Sequence, residues 1–423
     1  MLKAHLQHKL SKLSVDKARS YAVAFSGGGD STALLHALKD EPQAKYAFIV
    51  HHNLRPDARA EAERAKAQAQ SFGYQAYILT WQHNNPKSGV QEKARIARYG
   101  LMGQACRERG IEHLLTGHTE DDQAETLLMR YERKTDWRGA AGMAQASYGA
   151  LWPQLADVTL VRPLLDISRA ALRSYNNEHK LSWSEDPSNQ NRDFTRIRAR
   201  DYLAEYPSMR AHLLGAGADL RRARDEELDY LRVIARESVT VDAHGLIYLS
   251  RPSALELTRH LLQAASGQGR PIDKMKIRHL DENMRSSEFK SATLAGAMVM
   301  RRKDGFLFMR DPVVVSGRSD GRLSARDLSW PLKDTPQIWD GRFSLTGSVD
   351  IFVTSLHNVL NQAQDFDLAA IFGGVPKSAL RSLPAFMRNG EIVGLGSVQN
   401  EQGYKAENLV EKRLHALLKT RPS

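Results

Sequence analysis

A glycine-rich turn near the N-terminus constrains the fold of this chain more than any other feature. Residues 26–31 read Ser-Gly-Gly-Gly-Asp-Ser; they follow the apolar run Tyr21 to Phe25 and precede apolar residues at helical spacing from Thr32 to Leu38. In such a turn, glycines let backbone N–H groups approach a bound anion, and the helix N-terminus adds partial positive charge. The strand, turn and helix together predict a phosphate-binding loop at the edge of a sheet.

Strands and helices continue to alternate after this turn. Each short apolar run that predicts a strand is followed by a segment of helical periodicity, and Gly73 and Gly110 end two of these segments. Such alternation predicts an α/β fold with a doubly wound parallel sheet, whose ligands bind beyond the carboxyl ends of the strands. The further predicted strands are Phe48–Val50, Tyr74–Leu79 and Ile111–Leu115, and the helices run from Pro56 towards Gly73, from Gln91 to Arg109 and from Asp121 to Met129.

The chain is long enough for several domains, because 423 residues exceed what one ordinary core accommodates. Beyond about Arg192, long helical segments rich in Arg and Leu replace the alternation. We therefore predict a nucleotide-binding catalytic domain over 1–212, a helical substrate- and RNA-binding domain over 213–315, a linker over 316–336 and a small α+β RNA-binding domain over 337–423.

Composition narrows the classes of function. The net charge of +11 and the isoelectric point near 9.6 favour a polyanionic partner such as nucleic acid, although an ordinary basic protein would share them. The lone Cys106 excludes an internal disulfide framework and a thiolate zinc or iron–sulfur centre supplied by this chain alone. No apolar run is long enough to cross a bilayer, so we expect no membrane partner and a cytoplasmic location.

Arginines cluster downstream of residue 190. Guanidinium groups can bond phosphate oxygens two at a time, so the cluster predicts contacts to an RNA backbone. A solvated helix face, on which the arginines pair with Asp193 and Asp201, is the alternative. The candidate RNA-binding residues are Arg192, Arg196, Arg198 and Arg200.

The glycine-rich turn differs from two better-known nucleotide loops. A Walker loop ends in Gly-Lys-Ser/Thr, which is missing here. The dinucleotide fingerprint requires a third glycine where this chain has Thr32, and an acidic residue on the second strand where it has His51 and His52. Neither class of loop therefore explains the turn.

A polar segment, Gly117 to Thr126, follows the fourth predicted strand and so faces the same edge of the sheet. On a helix His118 and Asp122 lie four residues apart, as do Asp121 and Glu125, which gives two polar rows. Carboxylates there can hold magnesium on ATP phosphates or orient an attacking amine. The alternative is structural, because acidic residues in a first helical turn complement the helix dipole and can form a capping box.

The turn resembles the Ser-Gly-Gly-x-Asp-Ser signature of the PP-loop ATP pyrophosphatases, and the wider pattern resembles one family among them. Over about the first half of the chain, five further motifs occur in the order typical of the tRNA(Ile)-lysidine synthetase family. They are Val50–Arg55, Glu92–Arg95 followed by Arg98 and Tyr99, Gly117–Thr126, Arg162–Leu165 and Glu185–Asn189.

This resemblance implies a carbon–nitrogen ligase that forms AMP. The enzyme would adenylate the C2 oxygen of the wobble cytidine in the isoleucine tRNA with a CAU anticodon, and the amine of free L-lysine would then displace AMP to give lysidine. ATP and Mg²⁺ are the implied cofactors, and tRNA and lysine are the implied partners. Adenylation is chemically reasonable, because it turns a poor leaving oxygen into a phosphate ester that an amine can displace.

The resemblance also implies roles for individual residues. Asp30, Asp121 and Asp122 would be the catalytic carboxylates that serve magnesium and lysine, with Mg²⁺ at Asp30 and Asp121. The implied ATP-binding residues are Ser26, Gly27, Gly28, Gly29, Asp30, Ser31, His51, His52, Gly117 and His118.

The lysine and cytidine end of the site follows from the same resemblance. A set of salt bridges between helices is an alternative explanation for Arg55, Glu92 and Arg95. The chain departs from the family pattern at Arg133–Asp136, which replaces a more flexible run, and at Ile197, where Asn is expected. The implied substrate-binding residues are Arg55, Glu92, Arg95 and Glu125.

Two other functions stay open on the sequence alone. A PP-loop RNA thiolase would use paired cysteines or an iron–sulfur cluster, and Cys106 stands alone. A non-catalytic nucleotide-binding RNA adaptor would not need the acidic pair beside the phosphate loop. The sequence leaves the oligomeric state undecided, and a homodimer is one option.

Overall fold

The computed structural model of the protein describes residues 1–15, 18, 20–54, 58–84, 86, 88–184, 195–269, 271–317, 327–397 and 403–419. The chain divides into two compact units, Met1–Leu228 and Asp229–Ser423. Among the described residues, no helix combines the length and the apolar character that a membrane span requires.

A six-stranded sheet forms the centre of the first unit. Its spatial order is β3-β2-β1-β4-β6-β5; the first five of these strands run parallel, and β5 is antiparallel to β6. This arrangement confirms the predicted parallel α/β sheet. The strands are β1 Tyr21–Ala24, β2 Ala44–His51, β3 Gln75–Thr80, β4 His113–Thr116, β5 Ala146–Tyr148 and β6 Thr159–Val161.

Helices cover both faces of this sheet. Along β1, Tyr21 and Val23 join one buried cluster and Ala22 joins another, as expected of a parallel strand that is buried on both sides. The helices of this unit are α1 Leu2–Lys12, α2 Gly29–Ala37, α3 Ala58–Ser71, α4 Val90–Glu108, α5 Glu120–Glu132, α6 Trp137–Ala140, α7 Arg169–Glu178, α8 Thr195–Glu205 and the greater part of α9 Pro207–Ser238, which ends in the second unit.

Two predicted helix ends are confirmed. Gly73 and Gly110 follow α3 and α4 with positive φ angles of 90° and 62°, the left-handed conformation that ends helices. The predicted strands and helices up to residue 132 all occur, with boundaries shifted by a few residues.

The second unit contains an antiparallel sheet that the sequence did not predict. Its order is β7-β8-β11-β10-β9, and two helices accompany it, so the segment predicted as helical contains strands as well as helices. Its strands are only three to six residues long, and β10 ends in Arg301 and Arg302, so the apolar alternation is too brief to recognise. The elements are β7 Val239–Val241, β8 Ile247–Leu249, α10 Leu255–Ser266, α11 Lys274–Arg285, β9 Ser291–Leu294, β10 Ala297–Arg302 and β11 Gly305–Arg310.

The C-terminal part of this unit is α+β, as predicted. Two antiparallel sheets, ordered β12-β15-β16-β17 and β13-β14-β18, share one buried cluster that includes Trp339, Phe343 and Phe386. Residues 318–326 of the predicted linker lie outside the described residues. The elements are α12 Pro312–Ser316, β12 Trp330–Pro331, β13 Gln337–Trp339, β14 Phe343–Gly347, β15 Ile351–Ser355, the 3₁₀ turns Leu356–Val359 and Gln362–Asp365, α13 Leu368–Phe372, α14 Lys377–Leu380, β16 Pro384–Arg388, β17 Glu391–Leu395, β18 Tyr404–Asn408 and α15 Val410–Leu417.

Candidate active site

The sheet of the first unit changes its direction of winding beside β1. From β1 the chain proceeds to β2 and β3 on one side, and it then returns to place β4 on the other side. The loops that leave β1 and β4 therefore diverge at the carboxyl edge and open a crevice, which is where such folds bind ligands. Gly117 permits the two loops to touch, because a Cβ atom at this position would lie 3.1 Å from the backbone nitrogen of Ser31.

Hydrogen bonds within the glycine-rich turn fix its shape. The Ser31 hydroxyl donates to the Gly28 carbonyl at 2.9 Å and lies 3.1 Å from the Ser26 hydroxyl. Gly27 has a φ angle of 78°, and its carbonyl accepts from the backbone N–H of Ser184 at 2.9 Å. Gly28 caps α2 without a side-chain hydrogen bond, so this helix N-terminus offers its N–H groups to an anion.

A cavity of about 670 Å³ lies above the turn. Its volume falls in the range of pockets that bind nucleotides and other small molecules. Arg98, Tyr99 and Trp183 contribute further walls. The predicted site residues that line the cavity are Ser26, Gly28, Gly29, Asp30, Ser31, Gly117, His118, Asp122, Arg196 and Arg200.

Asp122 caps α5 and also faces the cavity. Its Oδ2 accepts from the backbone N–H and the hydroxyl of Thr119 at 2.8 and 2.9 Å, which completes a capping box at the start of α5. Its Oδ1 instead contacts Arg196 at 2.8 Å and Arg169 at 3.2 Å. One carboxylate thus fixes the helix and also presents charge to the cavity.

Two arginines predicted to contact RNA, Arg196 and Arg200, point into the site. Arg196 Nε lies 2.7 Å from Glu125, and Arg200 Nε lies 2.8 Å from the same carboxylate, which is almost wholly buried. They stand four residues apart on α8 and so share a face that packs on α5, whereas Arg198 is exposed. Arg192 lies outside the described residues.

Arg169 is a site residue that the sequence reasoning missed. Its guanidinium lies 3.3 Å from Asp30, 3.2 Å from Asp122 and 3.5 Å from Glu125. Its backbone N–H donates to Asp121 Oδ2 at 2.7 Å, at the first turn of α7. The available signal was its position four residues after the Arg162–Leu165 motif, directly after the helix-capping Ser168.

Burial and these arginines set the ionisation of the acidic groups. Burial raises the pKa of Asp30, an effect that Arg169 opposes and the nearby Asp122 strengthens. Burial also acts to raise the pKa of Asp122, but Arg196 and other cationic neighbours outweigh it and leave that pKa low. Burial lowers the pKa of His118 to about 3, so its ring is neutral at physiological pH. The Nδ1 atom of this ring lies 2.8 Å from the Thr116 hydroxyl.

Several predicted residues lie away from the cavity lining. His51 is buried at the end of β2, and burial together with Arg98 lowers the pKa of His52 to about 4. On α4, Glu92 is exposed, and the Arg95 guanidinium stands 5.1 Å from the centre of the Tyr99 ring. Arg55 and the Glu185–Asn189 motif lie outside the described residues.

The cavity carboxylates suit a magnesium ion only in company with phosphates. No group of three potential metal-ligating side chains occurs within the described ranges. Asp30 and Asp122 face the cavity, and Mg²⁺ is ordinarily bound by one or two carboxylates together with phosphate oxygens and water. Asp121 is not part of the lining, and its hydrogen bond to the start of α7 favours a capping role over a metal-ligand role.

The winding change beside β1, the uncapped N-terminus of α2 and the facing acidic helix define a nucleotide-binding α/β domain of the PP-loop class. The family model of the PP-loop domain matches residues 2–206, and membership of this class implies ATP binding.

Two relatives named tRNA(Ile)-lysidine synthase are similar over most of their length. The protein from Brucella ovis is 34% identical over 354 residues, 78% of this chain and 75% of the relative. The protein from Wolbachia pipientis wMel is 30% identical over 343 residues, 77% of this chain and 76% of the relative. The chain belongs to the tRNA(Ile)-lysidine synthase family.

Proposed function

We propose that the protein ligates L-lysine to C2 of the wobble cytidine in the isoleucine tRNA with a CAU anticodon, and that it consumes ATP and releases AMP and pyrophosphate. One observation carries this proposal: the glycine-rich turn and the carboxylates of α5 line or border the same cavity. An anion site for phosphates thus adjoins an acidic site for a cationic amine.

In the first step the cytidine C2 oxygen attacks the α-phosphorus of ATP and pyrophosphate leaves. The N–H groups at the start of α2 are suited to hold the departing pyrophosphate, because they and the helix dipole favour negative charge. Asp30 and Asp122 are the residues that would hold Mg²⁺ on the nucleotide, where the ion would neutralise phosphate charge. Neutral His118 adds no cation that would compete with it.

In the second step the lysine amine attacks C2 and the C–O bond to AMP breaks. The amine loses a proton as the C–N bond forms, so the site must attract the cation and also allow it to deprotonate. Asp122 and Glu125 provide the negative charge, and they already hold the cationic groups of Arg196 and Arg200. A lysine ammonium can form the same charge-assisted contacts.

Cys106 argues against sulfur transfer. It lies fully buried within α4, and burial raises the pKa of its thiol to about 12. A thiol of this kind supplies no thiolate at physiological pH, whereas sulfur transfer requires one. An amine acceptor needs no thiolate. A non-catalytic adaptor is also disfavoured, because it would have no use for three carboxylates beside its phosphate loop.

The basic regions outside the cavity are the proposed tRNA contacts. Arg198 on α8 and Arg222 on α9 are exposed, and the chain carries a net charge of +11. Such charges bind a phosphate backbone without reading its sequence. Because its proposed substrates are tRNA, ATP and free lysine, we assign the protein to the cytoplasm. The homodimer also remains a proposal.

The test is mass spectrometry of nucleosides from tRNA incubated with the protein, ATP and lysine. We expect lysidine, with one AMP released per modified nucleoside; without lysine, at most a single adenylation should release pyrophosphate, and no AMP should form. Stoichiometric ADP would contradict the proposal, because it would mean transfer of the terminal phosphoryl group. A sulfur-containing nucleoside in place of lysidine would support the thiolase alternative.

A further inference from the structure

We propose that Arg169 is a positioning residue that joins the phosphate-binding turn to the acidic amine site. Each nitrogen of its guanidinium faces a different carboxylate: Nε faces Asp30, Nη2 faces Asp122 and Nη1 faces Glu125. Asp30 belongs to α2, and the other two belong to α5. One planar group therefore spans the crevice between the loops that follow β1 and β4. This inference rests on the proposed function.

The position of Arg169 is fixed from its own backbone. Ser168 caps α7 by accepting from the Ala171 N–H at 3.2 Å, and the Arg169 N–H donates to Asp121 Oδ2 at 2.7 Å. The side chain is 19% exposed, so water screens its ion pairs only weakly. A side chain anchored at both ends can hold the two loops at a constant separation.

Arg169 differs from Arg196 and Arg200 in the carboxylates that its side chain contacts. Arg196 contacts Asp122 and Glu125, and Arg200 contacts Glu125, so both bind carboxylates of α5. Their contacts are 2.7–2.8 Å long, whereas those of Arg169 are 3.2–3.5 Å. Arg169 thus occupies a central position among three acids and bonds none of them closely. We infer that it holds the three carboxylates at fixed positions relative to one another, as the binding of both ATP and lysine requires.

Removal of Arg169 has effects of opposite sign on the two ligands. The three carboxylates would lose a shared cation, and the added negative charge would repel the phosphates of ATP. The same charge would attract the ammonium of lysine. Turnover would nevertheless fall, because Asp30 and the α5 carboxylates would no longer be held in a fixed relation. If Arg169 only maintained the fold, its removal would lower the affinities for ATP and for lysine together.

The experiment compares Arg169→Met and Arg169→Lys with the wild-type chain and with Arg64→Met. Arg64 is exposed on α3 and controls for the loss of one positive charge. Thermal melting first establishes that each variant is folded. Affinities for the α,β-methylene analogue of ATP with Mg²⁺ and for L-lysine are measured by calorimetry, and lysidine formation gives kcat and both KM values.

For Arg169→Met we expect nucleotide affinity to fall by about tenfold or more, lysine affinity to stay equal or rise, and kcat to fall by about 100-fold. Arg169→Lys should recover part of kcat, since an ammonium restores charge but cannot face three acids at once. Unchanged nucleotide affinity and kcat in Arg169→Met, or equal losses for both ligands, would overturn the inference. If Arg169→Met does not fold, Arg169→Gln, which also removes the charge, is measured in its place and judged by the same readings.

This design separates the inference from the proposed function. A wild-type protein that makes no lysidine from tRNA, ATP and lysine would refute the proposed function. The two affinities would still decide the role of Arg169, because they are measured without turnover. Opposite changes in the two affinities would support the positioning role, and parallel or absent changes would refute it.

Discussion

Asp30 is the acidic residue of the glycine-rich turn, and its surroundings shift its pKa in opposite directions. Burial and the nearby Asp122 raise its pKa, whereas Arg169 at 3.3 Å stabilises the carboxylate. A buried carboxylate beside a phosphate site is useful only where a cation accompanies it. Its charge, rather than its shape, is therefore the property that the proposed chemistry requires.

Asp30→Asn should abolish most turnover and leave the fold intact. The substitution keeps the size of the side chain and removes the charge that Arg169 and the proposed Mg²⁺ require. We expect kcat for lysidine formation to fall by at least about 100-fold, with a melting temperature close to that of the wild type. Asp40→Asn is the control, because Asp40 is exposed and pairs with Lys3 on the surface. Near-normal turnover in Asp30→Asn would mean that Asp30 only stabilises the first turn of α2 and has no part in the reaction.

His118 should make the first unit sensitive to mild acid. Burial lowers its folded pKa to about 3, while the unfolded histidine titrates near pH 6.5. Between these values the unfolded chain binds a proton that the folded site excludes, so stability is present above about pH 6.5 and is lost as the pH falls. His118→Gln should make this loss shallower in urea unfolding from pH 7 to 4. Exposed His8→Gln should not change it, and equal slopes for wild type and His118→Gln would contradict the assignment.

At the scale of the element, α8 separates two kinds of arginine. Arg196 and Arg200 face α5 and bind its carboxylates, while Arg198, between them, is exposed. A helix places residues four apart on the same face and residues two apart on different faces. One short helix can therefore line the active site and also present a cation to a large anionic substrate.

This division predicts different defects for Arg198→Met and Arg196→Met. Arg198→Met should weaken tRNA binding and reduce the slope of log affinity against log salt by about 0.7–0.9, the loss of one phosphate contact. Arg196→Met should leave that slope unchanged and lower kcat, because Asp122 and Glu125 lose their closest partner. Filter binding across a salt series and single-turnover assays measure the two effects. Identical defects in both variants would refute the division.

At the scale of the whole molecule, a buried ion pair connects the two parts of the second unit. Arg310 at the end of β11 forms two contacts of 2.8 Å with Asp340, and neither side chain is exposed. Arg342 lies 2.9 Å from the same carboxylate. The segments on either side of residues 318–326 are therefore joined by a charged contact away from water, and a truncation there would remove the carboxylate that Arg310 contacts.

Asp340→Ala should destabilise the second unit strongly. Loss of the carboxylate leaves two buried guanidinium groups uncompensated, which costs about 3–5 kcal/mol. Urea unfolding of the full chain should show an earlier transition, while affinity for the ATP analogue, a property of the first unit, should stay unchanged. The matched control is Asp334→Ala, at an exposed position six residues earlier in the chain. An unfolding midpoint of Asp340→Ala equal to that of the wild type would show that the buried ion pair contributes nothing to stability.

The sequence predicted the first unit well but missed the strands within 239–310 of the second unit, and the reason is physical. The turn after β1 and the helix ends at Gly73 and Gly110 depend on local backbone geometry, which residue types at fixed spacing reveal. The antiparallel strands of 239–310 are only three to six residues long, so their apolar pattern is weak, and only the pairing of β8 with β11 joins distant segments. Strands this short leave too few alternating positions for the sequence to reveal the mixed character of the segment.

The sequence alone determined the glycine-rich turn, the alternating strands and helices of the first unit and the acidic segment after β4, because each depends on local residue spacing and backbone preference. Tertiary structure decided which side chains share the cavity. Arg169 lies 139 residues from Asp30 and 47 residues from Asp122 along the chain, yet one guanidinium contacts both. Arg196 and Arg200 turn inward because α8 packs on α5. Such meetings depend on how helices pack across the sheet, and spacing within one segment cannot specify that packing.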